Sequence, residues 1–296
     1  MPTRDDAAGA GPRMAVSLAA GLVFILLLSA PAAARPRDPR LAHVHTFAFA
    51  IGSGMLSGDL AVKFAGYDLV IVDGEYVRAT QVAALHSIGC LVLGYLSVGT
   101  IEDYRWWYPL VKRYRLEYWD DWGEWYADTS RSGYRSVVTA KVAPPMLDKG
   151  LDGLFLDNVD MIADHRPQRA GMYTLVRALA ALVHARGGLL FAQNGDTVVT
   201  PVLAALDGWN REDVSWTYDF DLRRYMRVPA ADRLVAANAL RRIAAAGLLV
   251  TATDYTRSGD IAARNESVVN ACAAGAVPFV SNIGLSRLPI PPLSCR

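Results

Sequence analysis

The sequence predicts an α/β fold, a single (β/α)8 TIM barrel with a long, aromatic-rich loop after its third strand. Three observations lead to this prediction. Eight short apolar segments follow one another along the chain, helical segments separate several of them, and most of the apolar segments end in Asp, Glu, Asn or Gln. Alternating strands and helices indicate βαβ units in a parallel sheet, and eight strands in succession fit a closed barrel better than an open sheet.

The predicted strands are short and apolar, and glycine or polar residues bound most of them, as in parallel strands that are buried on both faces. They cover residues 45–51, 67–72, 90–97, 151–156, 188–193, 206–210, 247–253 and 276–281. The predicted helices combine good helix formers with an apolar periodicity. They cover residues 80–86, 137–149, 171–186, 230–246 and 261–274.

The loop after the third strand is rich in aromatic residues. They are Trp106, Trp107, Tyr108, Tyr114, Tyr118, Trp119, Trp122, Trp125 and Tyr126. Aromatic faces stack on the C–H faces of sugar rings, and they attract cations such as a protonated amino sugar. We expect one or two of these side chains to line a cleft and most of the others to pack the loop against the barrel.

The charge balance and the motifs argue against several other classes of protein. The 296 residues carry 30 basic and 29 acidic side chains, so the chain lacks the clustered basic excess of a nucleic-acid-binding protein. It has neither a phosphate loop nor a G-x-S-x-G elbow, and its five histidines lack the spacing of metal ligands. We predict no cofactor, no metal ion and no nucleic-acid partner.

The N-terminal residues have the pattern of a secretion signal. Arg4 and Arg13 precede an apolar run at residues 15–28, and small residues follow it as far as Ala34. This order is typical of a signal peptide, and the run is shorter than the roughly 20 residues that span a bilayer. We predict a signal peptide at 1–34, a polar linker at 35–44 and the barrel domain at 45–296. The mature protein would be secreted or periplasmic, with no stable membrane association.

The three cysteines leave a disulfide open. Cys90 begins an apolar segment, which is typical of a buried thiol. Cys272 and Cys295 could pair and hold the C-terminal tail in an oxidising compartment, but sequence alone does not determine the connectivity.

Two carboxylates stand at strand ends where a barrel enzyme carries its active site. Asp157 ends the most apolar strand, and Glu212 ends the sixth strand, two strands farther along. Glycosidic bond cleavage uses two carboxyl groups, one as general acid and the other as nucleophile or base. We predict that Asp157 and Glu212 are this pair; the spacing does not decide between retention and inversion.

Each member of the pair also has a structural alternative. Asp157 could cap a helix after its strand, and Glu212 could form an ion pair with Arg211 or another surface residue. Asp213 competes for the acid role, although its side chain should point the other way from that of Glu212.

Further polar residues at strand ends are candidates for substrate binding. The two carboxylates among them could bind sugar hydroxyls or an amino group, although each is also a plausible turn residue. The amides and hydroxyls could donate hydrogen bonds to a polar ligand. The candidates are Asp73, Tyr95, Gln193, Asn194, Asp254 and Tyr255.

Several of these segments resemble the endo-α-1,4-polygalactosaminidase family (glycoside hydrolase family 114). The matching stretches, in the family's order, are 67–73 (YDLVIVD), 92–105 (VLGYLSVGTIEDYR), 151–160 (LDGLFLDNVD), 193–195 (QNG) and 206–213 (LDGWNRED). The resemblance implies a TIM barrel that acts on galactosamine-containing polysaccharide, with Asp157 and Glu212 catalytic. By analogy with other barrel hydrolases, Asp157 would be the nucleophile and Glu212 the general acid/base.

One position departs from the family's pattern. Many relatives have an acidic residue where this sequence has Thr100, so the specificity could have changed. The leading hypothesis is a secreted, endo-acting hydrolase of α-1,4-linked galactosamine polymers that needs no cofactor. The alternatives are a non-catalytic barrel that binds extracellular polysaccharide and a hydrolase of a different glycan.

Overall fold

The computed structural model of the protein describes residues 38–295. The predicted signal peptide and the first residues of the predicted linker therefore lie outside the described residues. No helix between residues 38 and 295 is long and apolar enough to cross a membrane.

The chain alternates between strands and helices, as the sequence predicts. The strands are β1 (Phe47–Ala50), β2 (Leu69–Asp73), β3 (Leu91–Ser97), β4 (Thr100–Ile101), β5 (Arg115–Trp119), β6 (Glu124–Ala127), β7 (Gly153–Asp157), β8 (Leu189–Gln193), β9 (Gly208–Glu212), β10 (Trp216–Asp219), β11 (Arg224–Arg227), β12 (Leu249–Tyr255) and β13 (Val277–Ser281). The α-helices are α1 (Leu60–Lys63), α2 (Ala79–His86), α3 (Tyr108–Val111), α4 (Ser132–Val137), α5 (Ala143–Leu147), α6 (Arg169–His184), α7 (Ala230–Ala245) and α8 (Ile261–Ala273).

Eight of the strands form one parallel sheet in the order β1-β2-β3-β7-β8-β9-β12-β13. The first and last strands of this order lie beside each other, and the rings of Phe47 and Phe279 meet across them with centroids 5.4 Å apart. The sheet is therefore a nearly closed barrel, and the prediction of a (β/α)8 fold is confirmed. Each of the eight predicted strands overlaps one of these barrel strands.

The helices pack on the outside of the barrel through apolar stripes. In α6 the buried side chains recur at the spacing of one helix face, as in Met172, Leu175, Val176, Leu179 and Val183. The barrel strands are buried almost throughout, because their residues face either the barrel interior or this helical layer. This rigid scaffold holds the strand ends in place.

One predicted helix is interrupted. In place of a single helix at 137–149, the chain forms α4, a π-helical turn at Val138–Val142, and α5. Pro144 and Pro145 explain the break, because neither has a backbone N–H to continue the α-helical hydrogen bonds.

The long segment after β3 folds into a small antiparallel sheet with the order β4-β6-β5. A second insertion, after β9, forms the hairpin β10-β11. Some aromatic side chains of the first insertion are fully buried, such as Trp107, while others stay partly exposed, such as Trp106 and Trp122. Both insertions rise from C-terminal ends of barrel strands, so they stand beside the mouth of the barrel.

Cys272 in α8 and Cys295 in the C-terminal tail form a disulfide with a Cα–Cα distance of 5.4 Å. The third cysteine, Cys90, is buried, and its thiol donates a hydrogen bond to the backbone oxygen of Tyr67. The structure thus settles the pairing that the sequence left open.

Removal of this disulfide is expected to destabilise the fold measurably. The bond links residues 23 positions apart, and closing a loop of that size constrains the unfolded chain by about 3 kcal/mol. The double variant Cys272→Ser/Cys295→Ser should therefore unfold at a midpoint roughly 6–12 °C lower, as measured by circular dichroism. Wild-type protein in a reducing buffer is the control and should shift by a similar amount; an unchanged midpoint in the double variant would contradict the expectation.

Candidate active site

A cavity of about 310 Å³ opens at the C-terminal ends of the barrel strands. Its size is within the roughly 300–1,000 Å³ range of small-molecule sites. The residues of the strand ends that line it include Asp73, Tyr95, Asp157, Gln193, Asn194, Glu212 and Tyr255. The cavity is therefore at the end of the barrel where (β/α)8 enzymes carry their active sites.

Asp157 is the last residue of β7, and several donors hold its carboxylate. The hydroxyl of Tyr95 donates to Oδ2 at 2.6 Å. The backbone N–H of Asn158 and the Nε2 of Gln193 donate to Oδ1 at 2.7 and 3.0 Å. The short helix that follows, Val159–Ala163, has no side-chain cap. The carboxylate thus belongs to the cavity and does not serve as a helix cap.

Glu212 is the last residue of β9, and its carboxylate is held in a similar way. Its Oε2 accepts hydrogen bonds from Gln193 Nε2 at 2.7 Å and from Asn194 Nδ2 at 2.9 Å. Its Oε1 accepts a hydrogen bond from the hydroxyl of Tyr255. All of these donors come from the two neighbouring barrel strands and the turn after β8.

Arg211 does not pair with the carboxylate of Glu212. Its Nε lies 3.5 Å from Asp196 Oδ1, and its Nη1 donates to the backbone oxygen of Glu212 at 2.6 Å. The side chain of Asp213 does not line the cavity.

Gln193 connects the two carboxylates through one nitrogen atom. Its Nε2 donates to both Asp157 and Glu212, and its Oε1 accepts a hydrogen bond from Asn210 at 3.0 Å. Hydroxyls of Thr251 and Thr253 hold Asn210 in turn. Because both oxygens are bonded to this one nitrogen, they are no farther apart than the sum of its two hydrogen-bond lengths, 3.0 and 2.7 Å.

The turns after β7, β8 and β9 share an unusual backbone conformation. Asn158, Asn194 and Asp213 directly follow these strands, and their φ values are 57°, 54° and 54°. Asn and Asp adopt this left-handed region more readily than other non-glycine residues. Each turn therefore bends immediately after the residue that faces the cavity.

A glycine is required opposite the first of these turns. A Cβ added to Gly99 would lie 1.8 Å from the backbone oxygen of Asn158. Only a residue without a side chain allows the segment after β3 to approach this closely, which places that segment beside Asp157.

Burial raises the pKa of both carboxyl groups. Desolvation is the largest cause in each case, and at Glu212 the negative charge of Asp157 adds to it and raises the pKa to about 8. Hydrogen bonds from Tyr95, Asn158 and Gln193 favour the ionised form of Asp157. With its pKa raised to about 8, Glu212 is the member of the pair that keeps its proton at neutral pH. Burial also raises the pKa of Tyr95 and Tyr255 well above the usual value, so both hydroxyls remain donors.

Asp73 lines the cavity, but its carboxylate already forms hydrogen bonds with a buried arginine. Arg105 Nη1 donates to its two oxygens at 3.0 and 2.8 Å, and the backbone N–H groups of Glu75 and Tyr76 also bind Oδ1. The same guanidinium donates to Glu102 at 2.6 and 2.9 Å. Asp73 therefore positions Arg105 in the cavity wall.

Asp254 lies away from the cavity. Its oxygens accept hydrogen bonds from the backbone N–H groups of Val214 and Ser215, at 2.7 to 3.1 Å, and it does not line the cavity. The structure brings together seven of the eight predicted site residues and leaves out this one.

Sequence reasoning missed several residues that complete the cavity wall. They are Phe49, Ile51, Glu102, Tyr104, Arg105, Glu124, Asp160 and Leu285. Glu102 and Arg105 lie in the 92–105 segment, at spacing i and i+3, which could have indicated an ion pair. Glu124 gave no such signal, because it reaches the cavity only through the fold of the insertion after β3.

The two insertions meet over the barrel mouth. Trp122 is at the tip of the β5-β6 hairpin and Phe220 at the tip of β10-β11, and their rings form a T-shaped pair with centroids 5.3 Å apart. Trp119 and Trp122 line the cavity. Aromatic side chains thus form part of the wall above the two carboxylates.

A barrel with two carboxyl groups at its mouth, both bonded to the same amide nitrogen, has the two groups that glycosidic bond cleavage needs. No cluster of three or more His, Cys, Asp or Glu side chains suited to a metal ion occurs in residues 38–295. The chain belongs to glycoside-hydrolase family GH114, whose sequence profile matches residues 28–287, and it is a glycoside hydrolase.

Solved structures similar to this one include two glycoside hydrolases. The glycoside hydrolase domain of PelA from Pseudomonas aeruginosa, in a point variant, is 22% identical, with a TM-score of 0.70 over 84% of this chain and 98% of that chain. Ega3 of Aspergillus fumigatus, in complex with galactosamine, is 18% identical, with a TM-score of 0.64 over 82% of this chain and 91% of that chain. A comparison with curated protein sequences finds no match.

Proposed function

We propose that this protein is an endo-acting hydrolase of α-1,4-linked, galactosamine-containing polysaccharide, with Asp157 and Glu212 as its catalytic residues. The observation that carries the proposal is the carboxylate pair joined by Gln193 at the mouth of a GH114 barrel. Gln193 bonds one oxygen of each carboxylate. The distance between these two oxygens is closer to the separation in retaining glycosidases, about 5–5.5 Å, than to that in inverting ones, about 6.5–9.5 Å. The geometry therefore favours retention.

In this mechanism the two carboxyl groups exchange roles between two steps. Asp157 attacks the anomeric carbon and forms a covalent glycosyl ester, while Glu212 gives its proton to the departing glycosidic oxygen. Glu212, now ionised, then takes a proton from water as the water attacks the ester, which releases Asp157 and the sugar. Tyr95 and Asn158 hold the nucleophile, and Tyr255 and Asn194 hold the acid, by the hydrogen bonds described above.

The charge of the cavity supports an amino-sugar substrate. Among the described residues that line it, six are acidic and one, Arg105, is basic. A wall of this charge attracts a cationic polymer. An unacetylated galactosamine chain is such a polymer at neutral pH. The complex of Ega3 with galactosamine agrees with this choice of sugar.

Two further points complete the proposal. Residues 1–34 would direct export, because they have the order of a signal peptide, and residues 45–296 would form the secreted or periplasmic barrel domain. A polysaccharide substrate outside the cytoplasm fits this location.

The proposal is tested by the release of reducing ends. Protein from Arg35 onward is incubated with deacetylated and acetylated α-1,4-galactosamine polymers, and with chitosan as a cationic polymer of different linkage. We expect release from the galactosamine polymers only, with a rapid drop in chain length and an α-anomer as the first product by NMR. No release, with polymer still bound, would favour a binding protein, and release from a different glycan would replace the proposed substrate.

A further inference from the structure

One carboxylate of the cavity wall has no role in the proposed mechanism. Glu124 is the first residue of β6, lines the cavity and is only 9% exposed. Its Oε2 accepts a hydrogen bond from the hydroxyl of Thr100 at 2.6 Å. Its Oε1 has no hydrogen-bond partner among the described residues, although the side chain borders the cavity.

Within residues 38–295, no basic side chain forms an ion pair with this carboxylate. Arg105 is the basic residue of the cavity wall, and its guanidinium is already shared by Glu102, Asp73 and, at 3.5 Å, Glu75. These four residues together carry a net negative charge. Glu124 thus adds an uncompensated carboxylate to a wall that is already acidic.

Burial without a counter-ion raises the free energy of an ionised carboxylate, and the pKa of Glu124 reflects this. Burial, followed by the negative charge of Glu102, raises the pKa of Glu124 to about 7. A cationic ligand in the cavity would remove this cost, because an opposite charge within a few ångströms stabilises the ionised form.

Glu124 is also close to the nucleophile. The hydroxyl of Thr100 lies 2.6 Å from Ser97 Oγ and 3.1 Å from Asn158 Nδ2. Asn158 in turn donates to Asp157. The cross-strand partner of Glu124 is Trp119, which also lines the cavity. The hairpin therefore presents an indole ring and a carboxylate side by side, on the same wall as Asp157.

We propose that Glu124 binds the protonated amino group of an unacetylated sugar residue and so selects deacetylated over acetylated polymer. The indole of Trp119 is stacked on Tyr126 through one face and offers the part that lines the cavity to the sugar ring. The free Oε1 accepts a charge-assisted hydrogen bond from the ammonium group. An N-acetyl group has no charge and is larger, so it cannot form this charge-assisted contact with Glu124. This inference rests on the proposed amino-sugar substrate and assigns its recognition to one residue.

The test uses Glu124→Gln, which removes the charge and keeps the shape. The matched control is Glu117→Gln, in β5 of the same small sheet, where the side chain is 61% exposed. On deacetylated polymer, Glu124→Gln is expected to lower kcat/KM at least about tenfold, mainly through KM, because charge-assisted hydrogen bonds are worth at least that factor. On acetylated polymer it should change kcat/KM less than about twofold. Glu124→Asp, which keeps the charge, should retain part of the preference, and Glu117→Gln should retain all of it.

Binding of the monosaccharides separates this inference from the proposed hydrolysis. Galactosamine and N-acetylgalactosamine are titrated into wild type and Glu124→Gln by calorimetry. Loss of the preference for galactosamine in Glu124→Gln supports the inference even if wild type cleaves neither polymer, in which case hydrolysis alone fails. An equal effect on both sugars, an unchanged preference in the variant, or no preference in wild type would overturn it. If Glu124→Gln does not fold, as judged by its thermal midpoint, Glu124→Asp takes its place: a reduced preference for galactosamine supports the inference, and an unchanged preference overturns it.

Discussion

Asp157→Asn is expected to reduce turnover of polysaccharide by at least about 10³-fold while leaving polysaccharide binding intact. Asparagine has the shape of aspartate and can still accept a hydrogen bond from Tyr95, but it has no negative charge with which to attack the anomeric carbon. The loss should therefore appear in kcat, as measured by reducing-end release. Binding is measured separately, by co-sedimentation with the polymer.

The matched control for this variant is Asp148→Asn. Asp148 forms an ion pair with Arg186 on the outer surface, and its side chain is 67% exposed, so the substitution should leave turnover unchanged. Full activity in Asp157→Asn would remove Asp157 from the chemistry. Loss of both binding and thermal stability would instead show that Asp157 has a structural role.

Added azide distinguishes the nucleophile from the acid/base. In Asp157→Gly, azide can enter the space of the missing carboxylate and attack the substrate directly, which gives a glycosyl azide of inverted configuration. In Glu212→Ala, azide attacks the glycosyl ester and gives a product of retained configuration. The opposite pattern would exchange the two assignments.

Glu212→Gln is the second large effect that we expect. Glutamine cannot donate a proton to the departing oxygen, so cleavage of the polymer should fall by about 10²–10⁴-fold. A substrate with an activated aryl leaving group needs less protonation, and its first step should be much less affected. Glu117→Gln again serves as the control. An equal loss on both substrates would contradict the role of Glu212 as general acid.

The pH profile gives an independent test of the same residue. Because the pKa of Glu212 is raised to about 8, the acid form persists at neutral pH, and kcat/KM should fall as the pH rises through this value. In the residual activity of Glu212→Gln, this alkaline limb should be absent. An unchanged alkaline limb in the variant would assign it to another group.

The free energy of unfolding should also change with pH as Glu212 ionises. The pKa of Glu212 is raised on folding, so the stability that its neutral form provides is fully present below the unfolded value of 4.5 and is lost as the pH rises through about 8. Glutamine does not ionise. At pH 9, Glu212→Gln should therefore unfold at least about 2–4 °C above wild type, which corresponds to about 1 kcal/mol. At pH 5 the two midpoints should be similar.

The barrel could be predicted from sequence because its signals are local. Each barrel strand is a short apolar segment, and each ends where polar residues begin, so eight strands and their C-terminal ends can be recognised one at a time. The pair follows from the same rule, since Asp157 and Glu212 are carboxylates at two such ends. Their catalytic roles remain a prediction that the variants above test.

The insertions could not be predicted in the same way. Their aromatic residues indicate a ligand-binding surface in general terms, but whether a side chain faces the cavity depends on pairing between distant strands. Glu124 reaches the cavity because β6 pairs with both β4 and β5. Trp107, from the same aromatic-rich segment, is fully buried away from it.

By itself, the sequence determined the parallel barrel, the end of it that carries the site, and the two carboxylates that face each other there. Only the tertiary structure decided which neighbouring side chains form hydrogen bonds with these two carboxylates. Asp254 and Tyr255 are adjacent in β12, and successive side chains of a strand point in opposite directions. Tyr255 therefore faces the cavity and binds Glu212, whereas Asp254 binds the backbone of the turn after β9. Contacts between strands set that choice, and they are not local in the sequence.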